Sequence, residues 1–409
     1  MGKTTKNNAV VGQSGGPTAV INQSLVGVIE TVAEYGEIDR LFGARFGVRG
    51  IIEGNFVELN NLGADLLARI ADTPCAALGS TRDKPDEEYC RKIFDAFAEN
   101  DVRLFFYIGG NDSADTARIV NEMADEAGYE LRVFHIPKTI DNDLLVTDHC
   151  PGYGSAARFV THAVMGDGLD NASLPGIKVD VIMGRNAGWL TAASMLARRD
   201  EDDAPHLIYV PESPVSEEQF VDDVAEVYGR LGRCLVVVSE GIVDENGVGW
   251  NEQLVKMAHG AEVERDGHGN LQLSGSGMLG DCIANFAKNE VAARFGNRKL
   301  RVRADTFGYL QRSFPNSVSP VDRSEARLAG RTAGEYAAAD QPSGSVAFRR
   351  TGDGDNYGIE CFRAELQDVA RNTKSLPKEY INEAGNGITE QFRNYVAPLV
   401  GELPVIEKL

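Results

Sequence analysis

No stretch of this 409-residue chain approaches the roughly eighteen consecutive apolar residues that a membrane-spanning helix requires. The opening "MGKTTKNNAVV" has neither the apolar core nor the cleavage pattern of a secretory leader, so none is expected. The six cysteines are scattered, with no CxxC and no His/Cys spacing suited to zinc. They are expected to be reduced thiols of a cytoplasmic protein. Positive charge is also scarce: 41 Lys and Arg against 61 Asp and Glu leave a formal charge of −20. That balance argues against nucleic acid or an anionic membrane as partner. It also sets a problem, because a site for an anionic ligand would have to gather its positive charge locally.

What is present is an ordinary soluble-enzyme composition, 43% hydrophobic and 25% charged, on a chain long enough for two lobes. Apolar β-branched runs alternate with Gly- or Asp-rich turns and helical periods. "NAVVGQSGGPTAVINQSLVGVIETV" opens the pattern and sets Ile21, Leu25, Val28 and Val32 on one helical face. "VRLFFYIGGNDSADTARIVNEMADEAG" repeats it, with Ser113 expected as a helix N-cap. "LRVFHIPKTIDNDL", "IKVDVIMGRNAGWLTAASMLARR", "HLIYVPESPVSEEQFVDDVAEVY" and "RCLVVVSEGI" continue it, and Ser216 with Gln219 predicts a capping box. Such alternation implies an α/β fold whose mainly parallel sheets are covered by helices on both faces. Ligands in that architecture bind at the carboxyl ends of strands, where the polar turns of these segments fall. No short-period repeat, low-complexity tract or linker interrupts the pattern. After about residue 340 it gives way to "GSVAFRRTGDGDNYGIECFRAEL", read as a hairpin, and then a tail.

Four glycine-containing stretches invite a phosphate-binding interpretation. "GKTT" at 2–5 ends like a nucleotide loop, but no strand or upstream glycine precedes it, and a disordered terminus is expected instead. "GYGSAA" at 152–157 fits a dinucleotide fingerprint, yet the preceding "TDHCP" is no strand. "GQSGGP" and "IGGND" are better placed, because each follows an apolar strand and opens a helix. There glycine lets backbone N–H groups approach an anion at the positive helix end. A tight turn can use glycine for steric reasons alone. Two such loops, together with the "PKTIDND" loop at 137–143, favour a phosphate site over three unrelated turns.

"GQSGGPTAVIN", "YIGGNDSADT", "PKTIDND", "VIMGRNAGW", "VVSEG" and "RADTFGYLQRS" occur in the order and spacing of the 6-phosphofructokinases, which the chain resembles over about residues 8–340. The tail resembles that of the medium-length group of the family. The resemblance implies two similar three-layer α/β lobes with the active site between them. Lobe one would comprise about 8–150 plus 313–340 and lobe two about 151–312, with 341–409 a hairpin and tail packed on the catalytic unit.

The resemblance also implies roles. Asp141 matches the general base, which takes the proton of the sugar's C1 hydroxyl as that oxygen attacks phosphorus. Thr139 matches a residue on the reacting phosphoryl group, and Asp143 one that supports a magnesium site, with a local Asx turn as the alternative. Gly15 and Arg82 match donor contacts. Met183, Gly184 and Arg185 match the acceptor loop, and Glu240 an acceptor for sugar hydroxyls. Arg303, Tyr309 and Arg312 match the group that binds the sugar 6-phosphate, the alternative for either arginine being a surface ion pair.

Two positions bear on the donor. ATP-using members commonly read "PGTIDND" and "GGDGS", whereas this chain has Lys138 and the sequence Asn111-Asp112. In pyrophosphate-using relatives that lysine reaches the phosphoryl bridge, and the aspartate occupies the place of the ATP α-phosphate. The resemblance is therefore to the pyrophosphate-dependent branch, implying Mg²⁺-dependent, reversible phosphoryl transfer from pyrophosphate to fructose 6-phosphate in glycolysis or its reverse. Asn111 stands where many members carry a metal-holding aspartate; its amide oxygen, or a water, could serve there beside Asp143, and Asp112 or Asp143 could compensate. Tyr309 replaces a common histidine. Apart from Arg185 at its end, Lys178 is the only cation in "GIKVDVIMGR", where relatives carry an arginine that reaches a neighbouring subunit. A homo-oligomer is expected, a dimer ahead of a tetramer. Another sugar phosphate such as sedoheptulose 7-phosphate as acceptor, or a non-catalytic regulatory paralogue, are the alternatives.

Overall fold

The computed structural model describes residues 7–36, 38–250, 252, 277–296, 299–370 and 372–407. The "GKTT" stretch lies outside them. The chain divides into two compact units, residues 1–156 with 312–374, and residues 157–311 with 375–409. The segment after residue 340 is thus shared between the units.

The first unit is built on a seven-stranded sheet. Its strands are β1 (Asn7–Gln13), β2 (Ile38–Ala44), β3 (Phe56–Glu58), β4 (Val102–Gly109), β5 (Arg132–Pro137), and two further strands, Gly344–Gly352 and Gly358–Ala364. β1 pairs in parallel with both β2 and β4, and β4 with β5. The strand Gly344–Gly352 adds in parallel to β5, and Gly358–Ala364 folds back antiparallel on it. Alternation along the strands loads both faces. Ala9, Val11, Phe106 and Phe134 pack under the helices Ile21–Tyr35 and Pro320–Ala338. Val10, Phe105, Tyr107 and Val133 pack on the other side with the helices Glu87–Glu99 and Asn111–Glu126. The face set by Ile21, Leu25, Val28 and Val32 is buried.

The second unit carries a four-stranded, all-parallel sheet of β6 (Ile177–Ile182), β7 (Leu207–Tyr209), β8 (Cys234–Ser239) and β9 (Val302–Thr306), in the order β7-β8-β6-β9. One face packs Val179, Val181, Val236, Val238 and Val302 against the helices Glu217–Leu231 and Met278–Arg294. No described helix is long and apolar enough to cross a membrane.

Three helix starts refine the sequence expectations. Ser113 is not a cap: the helix begins two residues earlier, at Asn111 after Gly110. With no Cβ on Gly109, the chain can tuck the Ser113 hydroxyl where that atom would lie, 2.0 Å away. Ser216 does cap its helix, accepting from the Gln219 N–H at 3.1 Å, but the Gln219 side chain turns to the Ala384 carbonyl and the box stays half made. At "GYGSAA" the N–H groups of Gly152 and Ser155 donate to the two carboxylate oxygens of buried Asp322, at 2.7 and 2.9 Å. The anion at this helix start is therefore the chain's own carboxylate, which excludes the dinucleotide interpretation.

Candidate active site

The parallel register brings the loops of the first unit together at one edge of its sheet. Gln13 pairs with Ile108, and Gly109 with Pro137, so "GQSGGP", "GGND" and "PKTIDND" leave from neighbouring strand ends. The Lys138 N–H donates to Gly109 O at 3.0 Å, and the Thr139 N–H to Pro151 O at 3.2 Å, which anchors the third loop on both sides.

Lys138 is the centre of this half. Its side chain is buried, and Nζ donates to Gly16 O at 2.7 Å. Burial and the Arg312 guanidinium push its ammonium down to about 7, against the pull of Asp141. Gly15 is left-handed (φ 74°), and a Cβ there would stand 3.1 Å from Nζ. The Gly15 N–H is engaged by the Thr81 carbonyl at 2.9 Å, so what Gly15 supplies is room for the lysine. Arg312 packs its guanidinium over Gly16, where a Cβ would lie 3.2 Å from Cζ. The structure thus sets Arg312 against the Gly15–Gly16 turn, beside Lys138. Arg82 adds its field to the same lysine from an exposed loop. That loop is fixed by Asp83, which accepts from Arg49 at 2.5 Å and from the Tyr89 hydroxyl at 2.7 Å. Two cations at one backbone turn, with the charge of Arg82 close enough to act on Lys138, answer the charge problem of an acidic chain.

The carboxylates stand beside them. Thr139 Oγ1 accepts from the Asp141 N–H at 3.1 Å. Asn142 between the two aspartates is buried and left-handed (φ 55°), and its Oδ1 accepts from the Cys150 N–H at 3.0 Å. That conformation suits Asn and turns Asp141 and Asp143 to one neighbourhood. Burial, and then Asp141, push the Asp143 carboxyl up to about 7. Asn111 Nδ2 donates to Asp143 Oδ2 at 2.9 Å, while its Oδ1 is buried with no partner among the described residues. Asp112, in contrast, is exposed and pairs with Lys84 at 3.1 Å.

Two supports had no signal in the sequence. Lys374 is half-buried, donates from Nζ to Thr147 O (3.1 Å) and Asp148 O (2.7 Å), and gives its own N–H to Asp143 O at 2.7 Å. His135 bridges Ser345 Oγ and Gly109 O at 2.8 and 2.9 Å, and burial pushes its imidazole down to about 4, neutral at physiological pH.

In the second unit the acceptor loops are set by close backbone approach. Ile182 pairs with Ser239, so Met183-Gly184-Arg185 and Glu240 leave adjacent strands. The Glu240 N–H donates to Ile182 O at 2.9 Å, and Ser239 Oγ donates to Gly184 O. A Cβ on Gly241 would fall 2.0 Å from Arg185 O, a contact only glycine permits. Buried Gln311 accepts from the Met183 N–H at 3.4 Å and donates to Gly308 O at 2.8 Å, tying this loop to the turn that carries exposed Tyr309. Arg303 lies further back along the chain, on the strand that leads to this turn. It pairs with Lys178 at the amino end of β9, roughly 10 Å of extended strand from Thr306. Its guanidinium donates to the Val302 carbonyl. Lys178 is buried and pairs with Asp167 and Asp170, so it presents no free ammonium.

A parallel α/β scaffold with lysine, arginines and paired carboxylates at its strand ends defines a phosphoryl-handling enzyme. The family profile described as Phosphofructokinase matches residues 8–337, and the chain belongs to that family. It is 49% identical over 396 residues to the pyrophosphate–fructose 6-phosphate 1-phosphotransferase of Rhodospirillum rubrum, covering 97% of this chain and 95% of the relative. The sulfofructose kinase of Alkalicoccus urumqiensis is 30% identical, with 91% of each chain covered. The crystal structure of the pyrophosphate-dependent phosphofructokinase from Marinobacter aquaeolei superposes with a TM-score of 0.83 at 31% identity, covering 98% of this chain and 94% of that one.

Proposed function

We propose that the protein transfers a phosphoryl group from pyrophosphate to the C1 hydroxyl of fructose 6-phosphate, giving fructose 1,6-bisphosphate and phosphate, and that it runs in both directions. The observation that carries this is Lys138: a buried lysine, flanked by Arg312 and Arg82, in the donor loop where ATP-using relatives have glycine. Its near-neutral ammonium gains full charge when a polyanion arrives, and it then neutralises charge at the phosphoanhydride bridge as that bond breaks. Arg312 and Arg82 hold the donor's terminal oxygens. Asp141 orients the attacking hydroxyl and accepts its proton as the new oxygen–phosphorus bond forms. Thr139 steadies the Asp141 backbone and faces the transferring group. On the acceptor side, Met183, Gly184, Arg185, Glu240 and Tyr309 receive the sugar phosphate. Arg303 is assigned no step.

The donor set also suits a divalent cation, in keeping with Mg²⁺. Asn111 Oδ1 is buried and unpartnered among the described residues, and burial, then Asp141, holds Asp143 partly protonated. Asn111 and Asp143 would hold the ion, which would shield the donor's negative charge. A cytoplasmic place in glycolysis or its reverse fits substrates of this kind.

The test is a coupled assay with pyrophosphate and ATP side by side at matched Mg²⁺. Turnover with pyrophosphate and negligible turnover with ATP is expected; equal use of both would overturn the donor assignment. Sedoheptulose 7-phosphate and sulfofructose, tried as acceptors in the same assay, should be poorer than fructose 6-phosphate.

A further inference from the structure

The face of the second sheet turned away from its hydrophobic core carries a charge cluster that phosphoryl transfer does not use. Along β6, Lys178 and Asp180 alternate with the core residues Ile177, Val179 and Val181. Along β9, Arg303 and Asp305 alternate with Val302 and Ala304. The parallel register sets Asp180 opposite Asp305. The helix Tyr153–Ser173 contributes Asp167 and Asp170. One carboxylate oxygen from each of Asp167, Asp180 and Asp305 lies within 4.8 Å of the others.

Lys178 answers only part of this charge. It takes Asp167 Oδ1 and Asp170, and among the described residues no N–H or hydroxyl donor reaches Asp167 Oδ2 or either oxygen of Asp180. Asp180 is 0% exposed. Four carboxylates therefore share this face with one buried ammonium and with exposed Arg303, whose guanidinium donates to the Val302 carbonyl. Among the described residues no donor reaches the most deeply buried carboxylate. A buried carboxylate in that position must take up a proton or a cation. Its carboxyl is held well above the usual range by burial and then by Asp167 and Asp305. A single proton would give one Asp180 oxygen a partner and leave the other without. Exposed Asp305 leaves a way in from solvent.

We propose that Asp167, Asp180 and Asp305 hold a hard divalent cation of the Mg²⁺ or Mn²⁺ class, bound by one oxygen from each of two adjacent strands and a helix. Carboxylate oxygens with no nitrogen or sulfur ligand select such ions. The cation ties β6 to β9 and braces the strands that lead to the Met183–Arg185 loop and the Gly308 turn. Its role is structural, and its ligands are distinct from the Asn111 and Asp143 set of the first unit.

Mn²⁺ alone, added to the full-length protein without pyrophosphate, tests this by melting curves and by electron paramagnetic counting of bound ion. Saturating Mn²⁺ should raise Tm by roughly 2–4 °C. Asp180→Asn and Asp305→Asn should each abolish that rise and lower the bound Mn²⁺ by one per chain, whereas Asp143→Asn should keep the rise. Should Asp180→Asn fail to fold, Asp305→Asn at the exposed rim gives the same readout. A full Mn²⁺-dependent rise in both variants, or none in the wild type, would overturn the proposal and leave Asp180 as a protonated carboxyl.

Discussion

The candidate site residues of the first unit and those of the second are held in opposite ways. In the first unit the functional groups are buried charges: Lys138 is 3% exposed, and its ammonium and the Asp143 carboxyl are both moved to about 7. In the second unit the working geometry is backbone, with Gly184 and Gly241 letting two loops interlock, while Tyr309 is 54% exposed. Chemistry at phosphorus needs charges held ready in a poorly hydrated place, because reorganising water during transfer is slow and costly. Binding a sugar phosphate needs shape and direction, which peptide groups in close contact supply without burying charge. Mutations should therefore act on turnover in the first half and on acceptor binding in the second.

The largest effect is expected at Asp141. Asp141→Ser should lower kcat by about 10²–10⁴-fold with little change in fructose 6-phosphate KM, since a positioned proton acceptor is lost and binding is not. Near wild-type turnover in steady-state assays would show that another group takes the proton.

Lys138→Met should follow, with kcat for pyrophosphate reduced by roughly 10²–10³-fold, the worth of one donor aimed at developing charge. It also carries a pH signature. In the free protein Lys138 is half-protonated near pH 7, and a bound polyanion favours its charged form. Pyrophosphate binding should thus take up a proton above about pH 7 and weaken as pH rises. Asp143 works in the opposite sense, since a cation binding there releases the proton that burial and Asp141 hold on it. Calorimetry without metal, in two buffers of different ionisation enthalpy, should find the uptake in the wild type and lose it in Lys138→Met. Uptake that survives in the variant would place the proton elsewhere.

How much of this was legible in the sequence follows from the same contrast. The strand–turn–helix alternation and the loops "GGND", "PKTIDND" and "MGR" are local, and a local pattern survives without coordinates. The supports of those loops are not local. Lys374 reaches the Asp143 carbonyl from the far end of the chain, and Asp322 caps a helix that begins at Tyr153. Nothing in their neighbours marks them. "RADTFGYLQR" shows a different limit: its charged and phenolic residues look like one cluster, yet an extended strand separates Arg303 from the Gly308 turn, and Arg312 joins Gly16. Ser113 was misplaced because a helix can start on an uncapped glycine when Gly109 leaves space for the serine.

A third substitution probes the backbone-built half. Gly241→Ala would press a methyl group onto the Arg185 carbonyl and shift the loop. A displacement near 1 Å costs on the order of 10²-fold, expected here in kcat/KM for fructose 6-phosphate, with pyrophosphate affinity held within about twofold. Equal losses for both substrates would mean that the two halves are not separable in this way.

The smallest effect is expected at Asp112 and its partner Lys84. Both side chains are largely exposed, at 65% and 46%, so their 3.1 Å ion pair should add no more than about 1 kcal/mol to stability. Lys84→Ala should accordingly leave Tm within about 2 °C of wild type. The consequence lies in specificity. Asp112 is the acidic residue in the first turn of the helix that follows "GG", and in the proposed role its carboxylate would repel any phosphate beyond the two of pyrophosphate. Asp112→Gly should begin to admit ATP, raising the ATP-to-pyrophosphate ratio of kcat/KM by about tenfold without making ATP a good substrate. Lys84→Ala should move that ratio less and in the opposite direction, because removing the ammonium leaves the Asp112 charge unscreened. Measured side by side at fixed Mg²⁺, a ratio unchanged in Asp112→Gly would sink the exclusion role. Donor choice would then rest on Lys138 alone, which stabilises one donor without rejecting the other.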